Sequence, residues 1–138
     1  PVGGTYYVQS LNWNNDVTVA SLLCGLVVDT LLVVNNYRDR EADKKSGKRT
    51  IIVRFGEKFG SYLYLWLGIS ATLGSLWFLR DQRYYAALLP LLYVIPHVLT
   101  WRKMVKIHSG KKLNSILGET SRNMLLFAIL LSLGMILS

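Results

Sequence analysis

Residues 17–34 read VTVASLLCGLVVDTLLVV and residues 35–50 read NNYRDREADKKSGKRT. The junction between these two stretches decides the fold. The first is 18 residues long, with Asp29 as its one charged side chain. As a helix rising about 1.5 Å per residue, it comes close to crossing the roughly 30 Å of a bilayer core. The second carries a charge or an amide at most positions, so the chain leaves the apolar phase abruptly after Val34. A soluble basic domain mingles its charges with apolar residues. Here the two are sorted.

The sorting repeats outward from that junction. Apolar runs at 59–79, 84–101 and 123–138 follow, separated by the charged segment 35–58, the turn 80–83 and the basic segment 102–121. The 138 residues are 51% hydrophobic and carry a net charge of +8. That apolar content excludes a disordered chain. The +8 alone would suggest a nucleic-acid binder, but charge confined to loops between apolar runs argues against nucleic acid as a partner. The pattern predicts an all-α integral membrane protein with four transmembrane helices, spanning a lipid bilayer at 17–34, 59–79, 84–101 and 123–138. In hydrocarbon every backbone N–H and C=O must be paired within the segment, and these runs are too long and too unalternating for barrel strands.

Each span reverses the chain across the membrane, so the segments 35–58 and 102–121 share a side. The first holds eight basic and four acidic residues, the second five basic residues against Glu119. The opposite side begins with 1–16, which has no Lys or Arg. The positive-inside rule therefore places both basic segments in the cytoplasm. The basic turn at 80–83 runs against that rule, and its arginines are expected to snorkel. Tyr6, Tyr7, Trp13, Tyr84, Tyr85 and Trp101 lie near span ends, where interfacial aromatics belong. Pro90 and Pro96 are expected to distort the third span. Gly68, Gly74, Ser70 and Ser75 would let the second pack closely on a neighbour. Cys24, the only cysteine, cannot form an internal disulfide and reads as a small buried hydrophobe. The chain starts at Pro1 with no basic leader or cleavage signal, so no signal peptide is visible and the start reads like the middle of something.

If the first helix continues past Val34, Asp39 and Asp43 stand one turn apart on one face. At about 100° per residue, Asp29, Asn35, Asn36, Asp39 and Asp43 fall within roughly 120° of arc. Two carboxylates at that spacing repel unless a hard cation sits between them. Magnesium suits the pair, since it takes one or two carboxylates together with waters and substrate phosphates. Gly47 can end the helix in a left-handed conformation, and Lys48 and Arg49 follow where they could neutralise a phosphate. The competing reading makes this an ordinary exposed helix whose lysines and arginines meet anionic lipid. Asp29 inside a span is a functional candidate by default, or else hydrogen-bonds within the bundle. His97 reads as a hydrogen-bonded residue of the third span and His108 as solvated. Thr120 or Ser121 reads as the N-cap of the last span. No nucleophile-elbow, Cys-x-x-Cys, zincin or phosphate-loop pattern is present.

The stretch from Asn35-Asn36 through Arg38, Asp39 and Asp43 to Gly47-Lys48-Arg49-Thr50, followed by Val53-Arg54-Phe55-Gly56, resembles the second aspartate-rich motif of the UbiA superfamily of intramembrane prenyltransferases. The Asn-Asn and Gly-Lys-Arg-Thr flanks, the early Gly4-Thr5-Tyr6-Tyr7-Val8-Gln9, and Leu113-Asn114 with Leu117 and Thr120 are similar to the branch acting on 1,4-dihydroxy-2-naphthoate. The resemblance implies a nine-helix bundle in which two aspartate-rich motifs hold a polyprenyl diphosphate through Mg2+. By carry-over, Asp39 and Asp43 are the catalytic, metal-binding acids, Lys48 and Arg49 contact the diphosphate, and Asn35, Asn36 and Arg38 support them. The implied reaction ionises the allylic diphosphate. The aromatic ring attacks the cation, carbon dioxide is lost, and demethylmenaquinone forms on the route to menaquinone. The implied location is the bacterial cytoplasmic membrane.

The sequence departs from that pattern in having one acidic motif and four spans. Residues 1–138 are therefore expected to be the C-terminal portion of a single transmembrane domain, inactive alone. Two further readings stand beside this one. A related prenyltransferase would use 4-hydroxybenzoate or haem as acceptor. A non-enzymatic transporter or assembly subunit would use its basic loops only to set topology.

Overall fold

The computed structural model describes residues 2–11 and 14–138; Pro1, Asn12 and the expected interfacial Trp13 lie outside the described residues. Those described are helical nearly throughout, with no strand among them. A short helix α1 (Val2–Ser10) leads to α2 (Asn15–Lys45). The Asn14 side chain caps α2 by accepting from the Val17 N–H at 2.9 Å. Asp16 in its first turn and Lys44 and Lys45 in its last complement the helix dipole.

Helix α2 does not stop where the apolar run stops. The segment 35–45, read as loop from its charge, is helical, because Arg38, Arg40, Glu41, Ala42, Lys44 and Lys45 are all good helix formers. Hydropathy marked the lipid boundary, not the end of the hydrogen-bond ladder. The end comes at Gly47, which takes φ +76° as anticipated. The Lys48 N–H bonds back to the Asp43 carbonyl at 2.9 Å and the Gly47 N–H to Lys44 at 3.3 Å, closing a Schellman turn.

A one-turn helix α3 (Ile51–Phe55), capped by Thr50, precedes α4 (Glu57–Gly74). This second span finishes as a 3₁₀ segment, Ser75–Asp81, and Gln82 at φ +59° reverses the chain. The third span is broken as its prolines predict. Helix α5 (Tyr84–Leu88) passes through a 3₁₀ stretch, Leu89–Tyr93, before α6 (Val94–Ile107). Pro90 has no N–H for the ladder, while Pro96 falls in the first turn of α6, where none is needed. Helix α7 (Leu113–Leu137) starts ten residues before the apolar run, so only His108–Lys112 is left as loop. Thr120 and Ser121 therefore lie inside α7 and do not cap it. The Thr120 hydroxyl instead meets Tyr64 Oη at 3.1 Å, both fully buried.

Four helical segments are long and apolar enough to cross a membrane. Their outer faces carry Leu22, Val28, Trp66, Leu92, Ile95 and Leu125, exposed as lipid contact requires. Inside, one apolar cluster gathers Leu23, Val27, Phe78, Tyr93 and Phe127, and a second gathers Val34, Tyr37, Ile52, Tyr64, Met104 and Ile116. His97 stands on the Tyr64 and Tyr93 rings, with centroids 4.6 and 5.1 Å away. Its Nε2 lies 3.2 Å from the Leu65 carbonyl, which can only accept. Nε2 therefore carries the proton, and Nδ1 accepts from the Tyr93 hydroxyl at 3.1 Å. The ring fits because residue 68 is glycine; a Cβ there would fall 2.2 Å from His97 Nε2. Gly74 gives the same room to Leu23, and Ser75 donates to the Ala87 carbonyl at 2.9 Å, whereas Ser70 faces outward.

The ends of the bundle agree with the expected topology. Arg83 in the turn reaches Asp16 at the start of α2 at 3.5 Å. At the other end Arg38 reaches Asn114, and Arg40 reaches the His108 carbonyl. Both basic segments thus share one end, and the 80–83 turn shares the other with the start of α2. Arg80 lies over the Trp77 ring, 5.4 Å from its centroid.

Candidate functional site

Three of the anticipated residues form one hydrogen-bonded cluster on the polar extension of α2. Arg38 grips Asp39 with two parallel bonds, Nε to Oδ1 at 2.6 Å and Nη2 to Oδ2 at 2.7 Å. The same guanidinium donates to Asn35 Oδ1 at 2.8 Å and, across to α7, to Asn114 Oδ1 at 3.1 Å. The planar fork of arginine allows all four bonds at once. Arg38 and Asp39 line a cleft of about 370 Å³ with Gly110, Lys111 and Asn114.

Asp43, one turn on, is buried at 8% exposure. The Schellman turn folds Lys48 back over it, Nζ to Oδ1 at 3.4 Å. Arg49 points elsewhere, into a separate cleft of about 490 Å³ shared with Val53 and Arg54. Asn36 is half-buried on α2, outside the cluster. Asp29 is exposed and forms no ion pair among the described residues, so the bundle provides it no partner.

Among the described residues no group of three or more His, Cys, Asp or Glu side chains is placed to hold a metal. The donor set is two carboxylates on one helix face, each already meeting a cation of the chain. Such a pair does not make an all-protein cage. It does fit a magnesium ion that keeps waters and takes phosphate oxygens from a substrate, since each carboxylate oxygen retains a lone pair beyond the one its cation uses.

Sequence reading passed over Glu57, which organises the opposite face of the same helix end. Its Oε1 accepts from Tyr37 Oη at 2.7 Å, and its Oε2 from Arg40 Nη2 at 3.1 Å. His108 Nδ1 also contacts Oε1, so this histidine is paired and not simply solvated. Arg40, only 8% exposed, donates further to the Tyr37 carbonyl at 2.7 Å and the His108 carbonyl at 2.8 Å. The buried arginine between the two candidate acids is thus structural. No local spacing signals the network, because Glu57 lies 17 residues from Arg40 and 51 from His108.

Between α2 and α7 runs an apolar groove. A cavity of about 330 Å³ is lined by Cys24, Val28, Met124, Leu125 and Ala128 among others, so Cys24 is half-buried in a groove wall. A second, of about 490 Å³, is lined by Val28, Leu31, Leu32, Asn35, Leu117 and Ser121. The two share Val28 and Ser121. Asn35 closes the polar end, and through Arg38 it joins the groove to the charged cleft.

The profile of the UbiA prenyltransferase family matches residues 1–126. Over 99% of its length the chain is 31% identical to a 1,4-dihydroxy-2-naphthoate octaprenyltransferase of Haemophilus influenzae, covering 44% of that protein. Over 41% of its length it is 36% identical to the Escherichia coli protein of the same name, covering 18% of it. It is also 28% identical, over 99% of its length and 39% of the relative, to a UbiA prenyltransferase domain-containing protein 1 of Dictyostelium discoideum. The chain spans less than half the length of these curated relatives. No solved structure matches it.

Proposed function

The chain belongs to the UbiA prenyltransferase family, and from that premise we propose that it carries one acidic half of a site that moves a polyprenyl group from polyprenyl diphosphate to 1,4-dihydroxy-2-naphthoate. In this reading its four spans are the C-terminal part of a larger bundle in the bacterial cytoplasmic membrane, with the basic end in the cytoplasm. The observation that supports it is the continuity between the α2–α7 groove and the cluster of Asn35, Arg38, Asp39 and Asn114. A polyprenyl diphosphate is an anionic head on a long apolar tail, and the groove offers the same sequence of environments. The names of the two bacterial relatives favour the naphthoate as acceptor.

Asp39 and Asp43 would hold Mg2+, which supplies charge stabilisation to the departing diphosphate. The chain's own residues do the rest. Arg38, anchored by Asn35 and Asn114, fixes the Asp39 carboxylate so that it need not reorganise when charge moves. Lys48 pairs with Asp43 and, at 70% exposure, can swing toward a phosphate oxygen. The apolar groove walls keep water from the allylic cation until the ring attacks.

The test is transfer by the full-length protein in lipid nanodiscs, with product identified by mass. Mg2+ is expected to support formation of demethylmenaquinone, and EDTA to abolish it. Asp39→Asn and Asp43→Asn should each lower kcat at least about a hundredfold, as loss of several kcal/mol of charge stabilisation requires. Undiminished turnover in EDTA would sink the metal assignment. Transfer to 4-hydroxybenzoate or haem with none to the naphthoate would sink the acceptor.

A further inference from the structure

We infer that the α6–α7 loop belongs to the anion site, with Lys111 binding the diphosphate from across the cleft that Asp39 and Arg38 line. The inference rests on the reading just given. Arg38 is engaged by Asp39, Lys48 by Asp43, and Lys103, at the far side of the loop, by Glu119 at 2.9 Å. Lys111 lines the same cleft as Arg38 and Asp39 and has no ion-pair partner among the described residues. Among the described residues it is the cation lining that cleft that no acid neutralises. A multiply charged diphosphate, even with a metal, needs such a group.

The loop is also held in place. His108 is fixed on one side by the Arg40 bond to its carbonyl and by its contact with Glu57. Asn114 is fixed on the other by Arg38. Lys111 lies three residues from each anchor. Gly110, at φ +89°, makes the turn between them, and the Leu113 and Asn114 N–H groups bond back to the Gly110 and Lys111 carbonyls at 3.0 Å. Glu57 and Arg40 thus act as positioning residues for Lys111, which reduces the ordering cost of binding. Adjacent Lys112 does not line the cleft.

An anionic lipid headgroup shares the chemistry of the substrate head, so the experiment separates the two. The full-length protein is placed in nanodiscs of phosphatidylcholine alone, and the Kd of Mg2+ with inorganic diphosphate is measured by calorimetry. Lys111→Ala is expected to weaken binding about tenfold, the size of one charge-assisted hydrogen bond. Lys111→Arg should restore most of it, and Lys112→Ala should leave it unchanged. In turnover, Lys111→Ala should raise KM for the prenyl diphosphate more than it lowers kcat. An unchanged Kd in Lys111→Ala, or a loss seen only with phosphatidylglycerol present, overturns the assignment while leaving the function of the site intact. A wild-type protein that binds no diphosphate overturns both.

Discussion

Gly134 is where two helices meet backbone to backbone, and its replacement by alanine has a calculable effect. A Cβ there would lie 2.6 Å from Ala86 Cα, 2.7 Å from the Tyr85 carbonyl oxygen and 2.9 Å from Ala86 N. None of these atoms belongs to a side chain that can turn aside. Relief needs α7 to withdraw from α5 by about 1 Å to regain ordinary carbon contact. Such overpacking costs about 2 kcal/mol. The shift also stretches the bond from Ala86 N–H to Ser138 Oγ, now 3.1 Å, past its useful range. That removes about 1 kcal/mol more. Better helix propensity returns about 1 kcal/mol, leaving a net loss of about 2. Gly118, in the same helix, is the control, because a Cβ there meets nothing within 4 Å. Gly118→Ala should gain about 1 kcal/mol from propensity alone. Unfolding both variants and wild type in mixed detergent micelles, followed by circular dichroism, reads the gap of about 3 kcal/mol. Equal stability of the two variants would refute the close α5–α7 approach.

Two further outcomes follow from single polar contacts. Glu57→Gln keeps the shape but leaves the Arg40 guanidinium only the exposed Glu41, 4.0 Å away, as counter-charge; because Glu57 is 31% exposed, the loss should be about 2 kcal/mol, below that of a fully buried pair. It should also speed amide hydrogen exchange at residues 108–112, and unchanged exchange there would show that Glu57 does not hold the loop. Tyr64→Phe should cost about 1–2 kcal/mol by stranding the Thr120 hydroxyl, and adding Thr120→Val should recover most of that. A double variant that loses the sum of the two single effects would mean that the 3.1 Å contact is not a hydrogen bond.

The spans were legible because burial in lipid is a one-dimensional property that apolar runs record directly. Gly47, Pro90 and Gly68 were legible for a related reason, since their roles follow from backbone chemistry at one position. The polar extension of α2 beyond Val34 and the early start of α7 were not legible in hydropathy. Arg40, Glu41 and Lys45 are polar yet fully compatible with a helix, so hydropathy stops at Val34 while the ladder runs on to Lys45. In the site, helical spacing along α2 put Asn35 and Asp39 on one face, while Arg38, which bonds to both, came only from the family resemblance. Its bond to Asn114, 76 residues away, was not legible, and neither was the Glu57 network. Contacts of that separation depend on how α2, α4 and α7 pack, which no local pattern encodes. Arg40 illustrates the limit best. It sits between Asp39 and Asp43 in sequence and serves the opposite face.

The unbroken run of α2 from Asn15 to Lys45 sets the depth of Asp39 in the membrane. Asp39 stands five residues beyond Val34, so it rises about 7.5 Å above the end of the apolar run along the helix axis. The polar layer of each leaflet is itself about 5–8 Å deep. The carboxylate therefore floats at the depth where the head of a lipid-borne diphosphate already travels. In the proposed function such a substrate would arrive by sideways diffusion within its leaflet, at the right altitude, without being lifted out of the bilayer. A helix that rigid ties the altitude of the carboxylate to membrane thickness. A few ångströms of thickening would carry the travelling heads and the waiting carboxylate out of register with one another.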